Sequence, residues 1–220
     1  MTSVVGSAGA TYTRALTLAL VVFFGWCGAP AAAQESSDET VPFHTKWLVL
    51  GGAGTDVRPT SDRDVAFQSI QWGCNVTGER GPGVLKGQLE MAIEFTPVFA
   101  AFQSHTAEGM GFSPIVFRWN FRQRGTIAPF VEAAAGMMAT NRDVPENTWR
   151  VNFSEHAGGG ARIRIARQWA VMIGYRLHHL SNAGTMSRYP GVTSHVGYAG
   201  VAWMVGRHER NAIGSSEATF

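Results

Sequence analysis

Two stretches of this chain alternate apolar and polar residues with a period of two, and that pattern limits it to β-structure with one greasy and one wet face. In residues 85–95, Leu85, Gly87, Leu89, Met91, Ile93 and Phe95 alternate with Lys86, Gln88, Glu90, Ala92 and Glu94. In residues 113–122, Ile115, Phe117, Trp119 and Phe121 oppose Val116, Arg118, Asn120 and Arg122. Successive side chains of a strand point to opposite faces, so each stretch reads as a two-faced strand. Weaker segments of the same kind fill 46–53, 65–76, 127–140, 151–166, 169–181 and 193–205, with turn signals at 55–63, 78–83, 123–125 and 141–147. None has a convincing 3.6-residue period.

Alternation alone does not say whether the apolar face meets a core or a lipid bilayer. The start of the chain bears on that choice. Arg14 precedes an apolar run from Ala15 to Gly28, and Ala31, Ala32 and Ala33 follow, in the order of a charged region, an apolar region and a cleavage site. Residues 1–33 are therefore expected to be a secretory signal peptide, residues 34–44 a polar, acidic leader, 45–206 the folded domain and 207–220 a polar tail. Once the first segment is removed, Cys74 is the only cysteine left, so no intrachain disulfide is expected.

Composition favours the bilayer. Charged residues make up 15% of the chain, with 26 glycines and 11% aromatics, against a typical charged share of about 25%. Outside the leader no apolar run reaches the ~18 residues of a helical span. The net charge of +2, with no basic stripe, gives no case for nucleic acid. Trp47, Trp72, Trp119, Trp149, Trp169, Tyr175 and Trp203 fall near segment ends, where interfacial girdles form. The expected fold is all-β, an eight-stranded antiparallel transmembrane β-barrel of the outer membrane, with a soluble β-sandwich as the alternative. A barrel of that size has a lumen filled by side chains. Lys86, Glu90, Glu94, Arg118, Arg122, Glu132, Arg162, Arg164 and Arg176 are expected there as structural ion pairs.

The end of the seventh segment carries the candidate chemistry. Ser181, His179, Leu177, Tyr175, Ile173 and Val171 share one face; Leu180, His178, Arg176, Gly174 and Met172 share the other. Residues i and i+2 of a strand lie roughly 6.5–7 Å apart at the backbone, so an imidazole at His179 can reach toward a hydroxyl at Ser181. Asn182, with a backbone N–H from the Ala183-Gly184 turn, could supply an oxyanion hole. In a soluble core such a serine would be buried and idle; on a lipid-facing wall it meets acyl chains. His178, on the opposite face, is expected in the lumen, and His195 is read as an interfacial histidine near the site. His178, His179 and His195 do not form a metal set, because alternation sends neighbours apart, and no metal or cofactor is expected.

The element His179-Leu180-Ser181-Asn182-Ala183-Gly184, preceded by Gly174-Tyr175-Arg176 and followed by Pro190-Gly191, resembles the lipid A 3-O-deacylase family (PagL-type, or acyloxyacyl hydrolases). Pro114 with Asn120-Phe121, Ala128-Pro129-Phe130 with Gly136, and Asn152-Phe153 with Gly158-Gly159-Gly160 extend the likeness over roughly residues 111–203. The resemblance implies an eight-stranded outer-membrane barrel that removes the ester-linked acyl chain at position 3 of lipid A. Its roles would be Ser181 as nucleophile, His179 as general base and acid, and Asn182 with Gly184 at the oxyanion hole. It also implies a glutamate twelve residues after the serine, where this chain has Thr193. A threonine hydroxyl can fix the imidazole's tautomer but cannot stabilise imidazolium as a carboxylate does, and losing that charge in a serine protease costs about four orders of magnitude in kcat. Either Thr193 serves a slower or differently tuned hydrolase, or another acid such as Glu155 assists.

The expected function is thus an outer-membrane serine esterase acting on lipid A of lipopolysaccharide. Its partners would be that lipid and the Gram-negative outer-membrane bilayer, with a homodimer left open. The competing reading is a non-enzymatic small barrel with a structural or adhesion role.

Overall fold

A computed structural model describes residues 45–58, 63–183 and 191–205. Eight antiparallel strands close on themselves in sequence order: β1 (Thr45–Asp56), β2 (Asp64–Asn75), β3 (Gly87–Phe102), β4 (Ala107–Phe121), β5 (Ile127–Thr140), β6 (Val151–Arg164), β7 (Trp169–Ser181) and β8 (Val192–Val205). Pairing of β1 with β8, Thr45 opposite Val205, seals the wall. The β-sandwich alternative is excluded by that closure. The expected signal peptide, leader and tail lie outside the described residues.

The faces follow the alternation. Val49, Val131, Ile173, Leu177 and Val201 are exposed on the outer wall, while Leu48, Leu50, Phe99, Phe130 and Val196 are buried within. An apolar outside around a mixed inside is the reverse of a water-soluble domain and suits a wall in lipid. Trp72, Trp47, Trp203 and Trp169 stand in successive register on β2, β1, β8 and β7. Trp169 stacks on Trp203 at 6.2 Å, and this row marks the interface on the side where the first strand begins and the last one ends. Tyr175, grouped with these by sequence, instead sits midway along β7.

Inside, Arg118 organises a polar plug. Its guanidinium donates to Glu90 Oε1 at 2.7 Å, to Glu132 Oε2 at 2.7 Å and to Gln71 Oε1 at 2.7 Å, and Gln71 passes the network to Glu94 at 2.6 Å. Lys46, which sequence reading did not place in the lumen, pairs with Glu90. Tyr198 donates to Glu132 Oε1 at 2.6 Å. It lies across Gly174, where any side chain would strike its ring, and the bare backbone is what lets the tyrosine reach. Arg176 lies 3.5 Å from Glu94 and 4.3 Å over the Phe67 ring.

Three of the charges assigned to the lumen lie at its rims instead. Lys86 precedes β3, beside a 3₁₀ turn at Gly83–Leu85, and pairs with Glu79 at 3.0 Å. Arg122 falls one residue beyond β4, and Arg164 is the last residue of β6; both are exposed, whereas Arg162 stands on the inward face opposite buried Ala128 and Met172 and is half-buried, as expected. Long cations at strand ends reach water by extending along the rim, so they need no lumen partner. Cys74 lies near the end of β2, and Cys27, expected within the signal peptide, lies outside the described residues.

Candidate active site

β7 carries its polar outward residues at the rim opposite the tryptophan row. Ile173, Tyr175 and Leu177 are exposed along the wall, and His179 and Ser181 are half-buried above them. Register sets their neighbours. On β6, Phe153 stands opposite Ser181 and Glu155 opposite His179; on β8, Thr193 stands opposite His179. The outward face thus holds a serine, a histidine, a carboxylate and a threonine within two residues along three adjacent strands.

Thr193 engages the imidazole, with its Oγ1 2.8 Å from His179 Nδ1. When Nδ1–H donates to that hydroxyl, Nε2 carries the lone pair, as a base for a serine proton requires. Glu155 is directly across the strand pair and exposed, with no hydrogen bond to the ring. Cross-strand partners bring their Cβ atoms within about 4.5–5.5 Å, and in register Glu155 is the carboxylate across from the ring. Ser181 and His179 share the face without a hydrogen bond between them, and such bonds often tighten only when substrate binds.

Asn182 follows the strand and is buried, and Ala183 turns the chain with φ 51°. A left-handed alanine is uncommon and marks a sharp bend directly after the serine. Gly184 lies outside the described residues. His195 is turned away from His179: it hydrogen-bonds Tyr175 and stacks on its ring at 5.9 Å. His178 points into the lumen, with Nε2 2.8 Å from Ser154 Oγ. Among the described residues no group of histidines, cysteines or carboxylates could hold a metal ion.

The sequence profile of the lipid A 3-O-deacylase (PagL) family matches residues 51–202. The chain belongs to this family. The match covers more than half of it and includes Glu155, His179, Ser181 and Thr193. The crystal structure of the outer membrane enzyme PagL superposes with a TM-score of 0.52 at 18% identity, covering 70% of this chain and 97% of that one. Ail, the attachment invasion locus protein of Yersinia pestis, aligns with a TM-score of 0.47 at 9% identity over 75% of this chain and 100% of its own. Neisserial surface protein A aligns with a TM-score of 0.48 at 12% identity over 73% and 96%. At 18% identity the likeness to the PagL crystal structure speaks to fold alone. No curated protein matches the sequence.

Within this family member, two residues near His179 escaped the sequence argument. Gly191 lies against the imidazole edge, and Arg58 bonds the Gly191 carbonyl. Arg58 is far from His179 in sequence, while Gly191 lies nearer to it than Thr193 does. The one available hint was the Pro190-Gly191 pair, which marks a turn without saying what packs on it.

Proposed function

We propose that this family member is an outer-membrane serine esterase that removes the 3-O acyl chain from lipid A. The observation that carries this reading is the Thr193-held His179 on the same outward face as Ser181. A base oriented through Nδ1 beside a hydroxyl, on a wall facing lipid, is a hydrolytic arrangement placed where acyl chains arrive from the side.

In the first half-reaction the Ser181 oxygen attacks the ester carbonyl carbon while His179 Nε2 takes its proton. Asn182 and Gly184 would donate to the resulting oxyanion. The intermediate collapses with cleavage of the carbon–oxygen bond to the sugar, and His179 returns the proton to the sugar hydroxyl. A water then attacks the acyl-serine carbonyl while His179 Nε2 takes its proton; the carbon–oxygen bond to Ser181 breaks, the fatty acid leaves, and His179 returns the proton to the Ser181 oxygen. Thr193 fixes the tautomer throughout, and Glu155 stabilises the imidazolium across the strand pair.

The arrangement of strand ends supports an outer-leaflet substrate. Thr45 and Val205 pair at one rim and Ser181 stands at the other. With the chain ends on the periplasmic side, the serine faces the leaflet that holds lipopolysaccharide. Neither the fold nor the comparisons support a homodimer, and the reaction does not require one.

The test is expression in a Gram-negative outer membrane followed by mass spectrometry of lipid A. Loss of one 3-O acyl chain with the wild type, and its retention with Ser181→Ala, is the expected result. The same loss from Ser181→Ala would remove the serine mechanism. No loss with the wild type on several lipid A forms would favour the non-enzymatic barrel, the reading to which Thr193 in place of a carboxylate lends weight.

A further inference from the structure

We propose that Arg58, acting through the Gly191 peptide, is a positioning residue that holds the His179 imidazole against the start of β8. The proposal rests on the esterase reading above for its consequence in catalysis, but the brace itself is a matter of geometry.

Gly191 has φ 76°, in the left-handed region that disfavours a side chain. A Cβ there would also lie 2.8 Å from His179 Cε1 and 3.0 Å from His179 Nε2. The ring therefore packs beside a bare backbone, where any side chain would crowd its Cε1–Nε2 side. Arg58 Nη2 donates to the Gly191 carbonyl at 3.1 Å, a bond that spans from beyond the end of β1 to the residue before β8.

The arginine is itself anchored. Its backbone N–H donates to Asp56 Oδ1 at 3.0 Å, and Asp56 is buried at the end of β1 opposite Ser194. Val57, between them, donates its N–H to the Thr193 carbonyl at 2.8 Å. Two consecutive residues of this strap thus hold two carbonyls of one segment, Thr193 and Gly191. That segment grips the imidazole at both edges, Thr193 through Nδ1 and Gly191 behind Cε1 and Nε2.

The brace matters because of Thr193. A neutral hydroxyl bonds an imidazole with roughly half the strength of a charged partner, so orientation must come partly from packing. A histidine held on one side only by a hydroxyl can tilt away from Ser181; a fixed glycine peptide on the other side restricts that tilt.

The test compares wild type with Arg58→Ala, Arg58→Gln, Arg58→Lys and Gly191→Ala, each folded in detergent micelles and checked for the heat-modifiable migration of an intact barrel. Fatty acid release from purified lipid A gives kcat and KM, and 15N-histidine NMR reads the tautomer and mobility of His179 directly. Arg58→Ala is expected to lower kcat roughly ten- to hundredfold, the scale of a small misplacement of a reacting group, with KM within about twofold. Arg58→Gln and Arg58→Lys, which keep a donor for the carbonyl, should recover much of it. The His179 signals should shift or broaden in Arg58→Ala and Gly191→Ala.

Wild-type kcat with unchanged His179 signals in Arg58→Ala overturns the brace. So does a raised KM at constant kcat that Arg58→Gln shares, since that pattern belongs to a cation binding the substrate's anionic groups. If the wild type releases no fatty acid, the esterase reading fails while the NMR comparison still decides the brace.

Discussion

Glu155 on β6 stands directly across from His179 on β7, and Thr193 on β8 holds the same ring from the other side. The histidine is flanked by a charge without a hydrogen bond and a hydrogen bond without a charge. Separating these two contributions is the sharpest test of the site. Glu155→Gln should lower kcat by about tenfold, because an exposed carboxylate acts through screened solvent, and the loss should grow at low ionic strength. Thr193→Glu should raise kcat by an order of magnitude or more, by joining charge and hydrogen bond in one partner. Initial rates of acyl release at two salt concentrations check both.

Ser181→Ala should abolish labelling by a fluorophosphonate probe while leaving heat-modifiable migration unchanged. The side chain is half-buried at a strand end, so its loss removes little packing. Labelling that persists in the variant would point to another nucleophile.

Arg118→Met should destabilise the barrel by about 3–5 kcal/mol, since Glu90 and Glu132 would lose the cation they share in a closed interior. Combining it with Glu90→Gln and Glu132→Gln should restore part of that loss. Urea unfolding in micelles followed by tryptophan fluorescence measures each variant.

Ile173→Arg, midway along β7 on the outer wall, should cost about 2–4 kcal/mol in a bilayer, whereas an arginine near an interface should cost about 0–1 kcal/mol. Refolding yields into vesicles compared with detergent micelles would expose the difference. Equal yields in both would argue against a lipid-facing wall.

The alternation of β7 was legible in the sequence because no irregularity interrupts it: Ile173, Tyr175 and Leu177 face out and Met172, Arg176 and His178 face in, as the period requires. β3 and β4 were read short for the opposite reason. Register shifts between Thr96 and Phe99 on β3, and between Phe112 and Ile115 on β4, reverse the phase, so Phe99 and Ala101 face inward after Glu90, Ala92 and Glu94 have done so. A bulge adds a residue to one strand and flips every later side chain, which a search for one continuous period reads as an end. At the proposed site, Ser181, His179 and Thr193 were singled out from one strand and a family pattern. Arg58 was not, because its tie to Gly191 depends on closure of β1 against β8, a contact no local spacing reveals.

Neighbouring histidines on β7 belong to different worlds, His178 bonded to Ser154 in the lumen and His179 to Thr193 on the wall. A single inserted or deleted residue anywhere in that strand would exchange them, sending the reactive set inward and the buried arginine out into lipid. Along β7, which no bulge interrupts, change is therefore channelled into substitution, and gains or losses of length fall at its rims. Any diversification of what the site accepts must come from the connecting segments around Ser181, while the strand that carries it keeps its count.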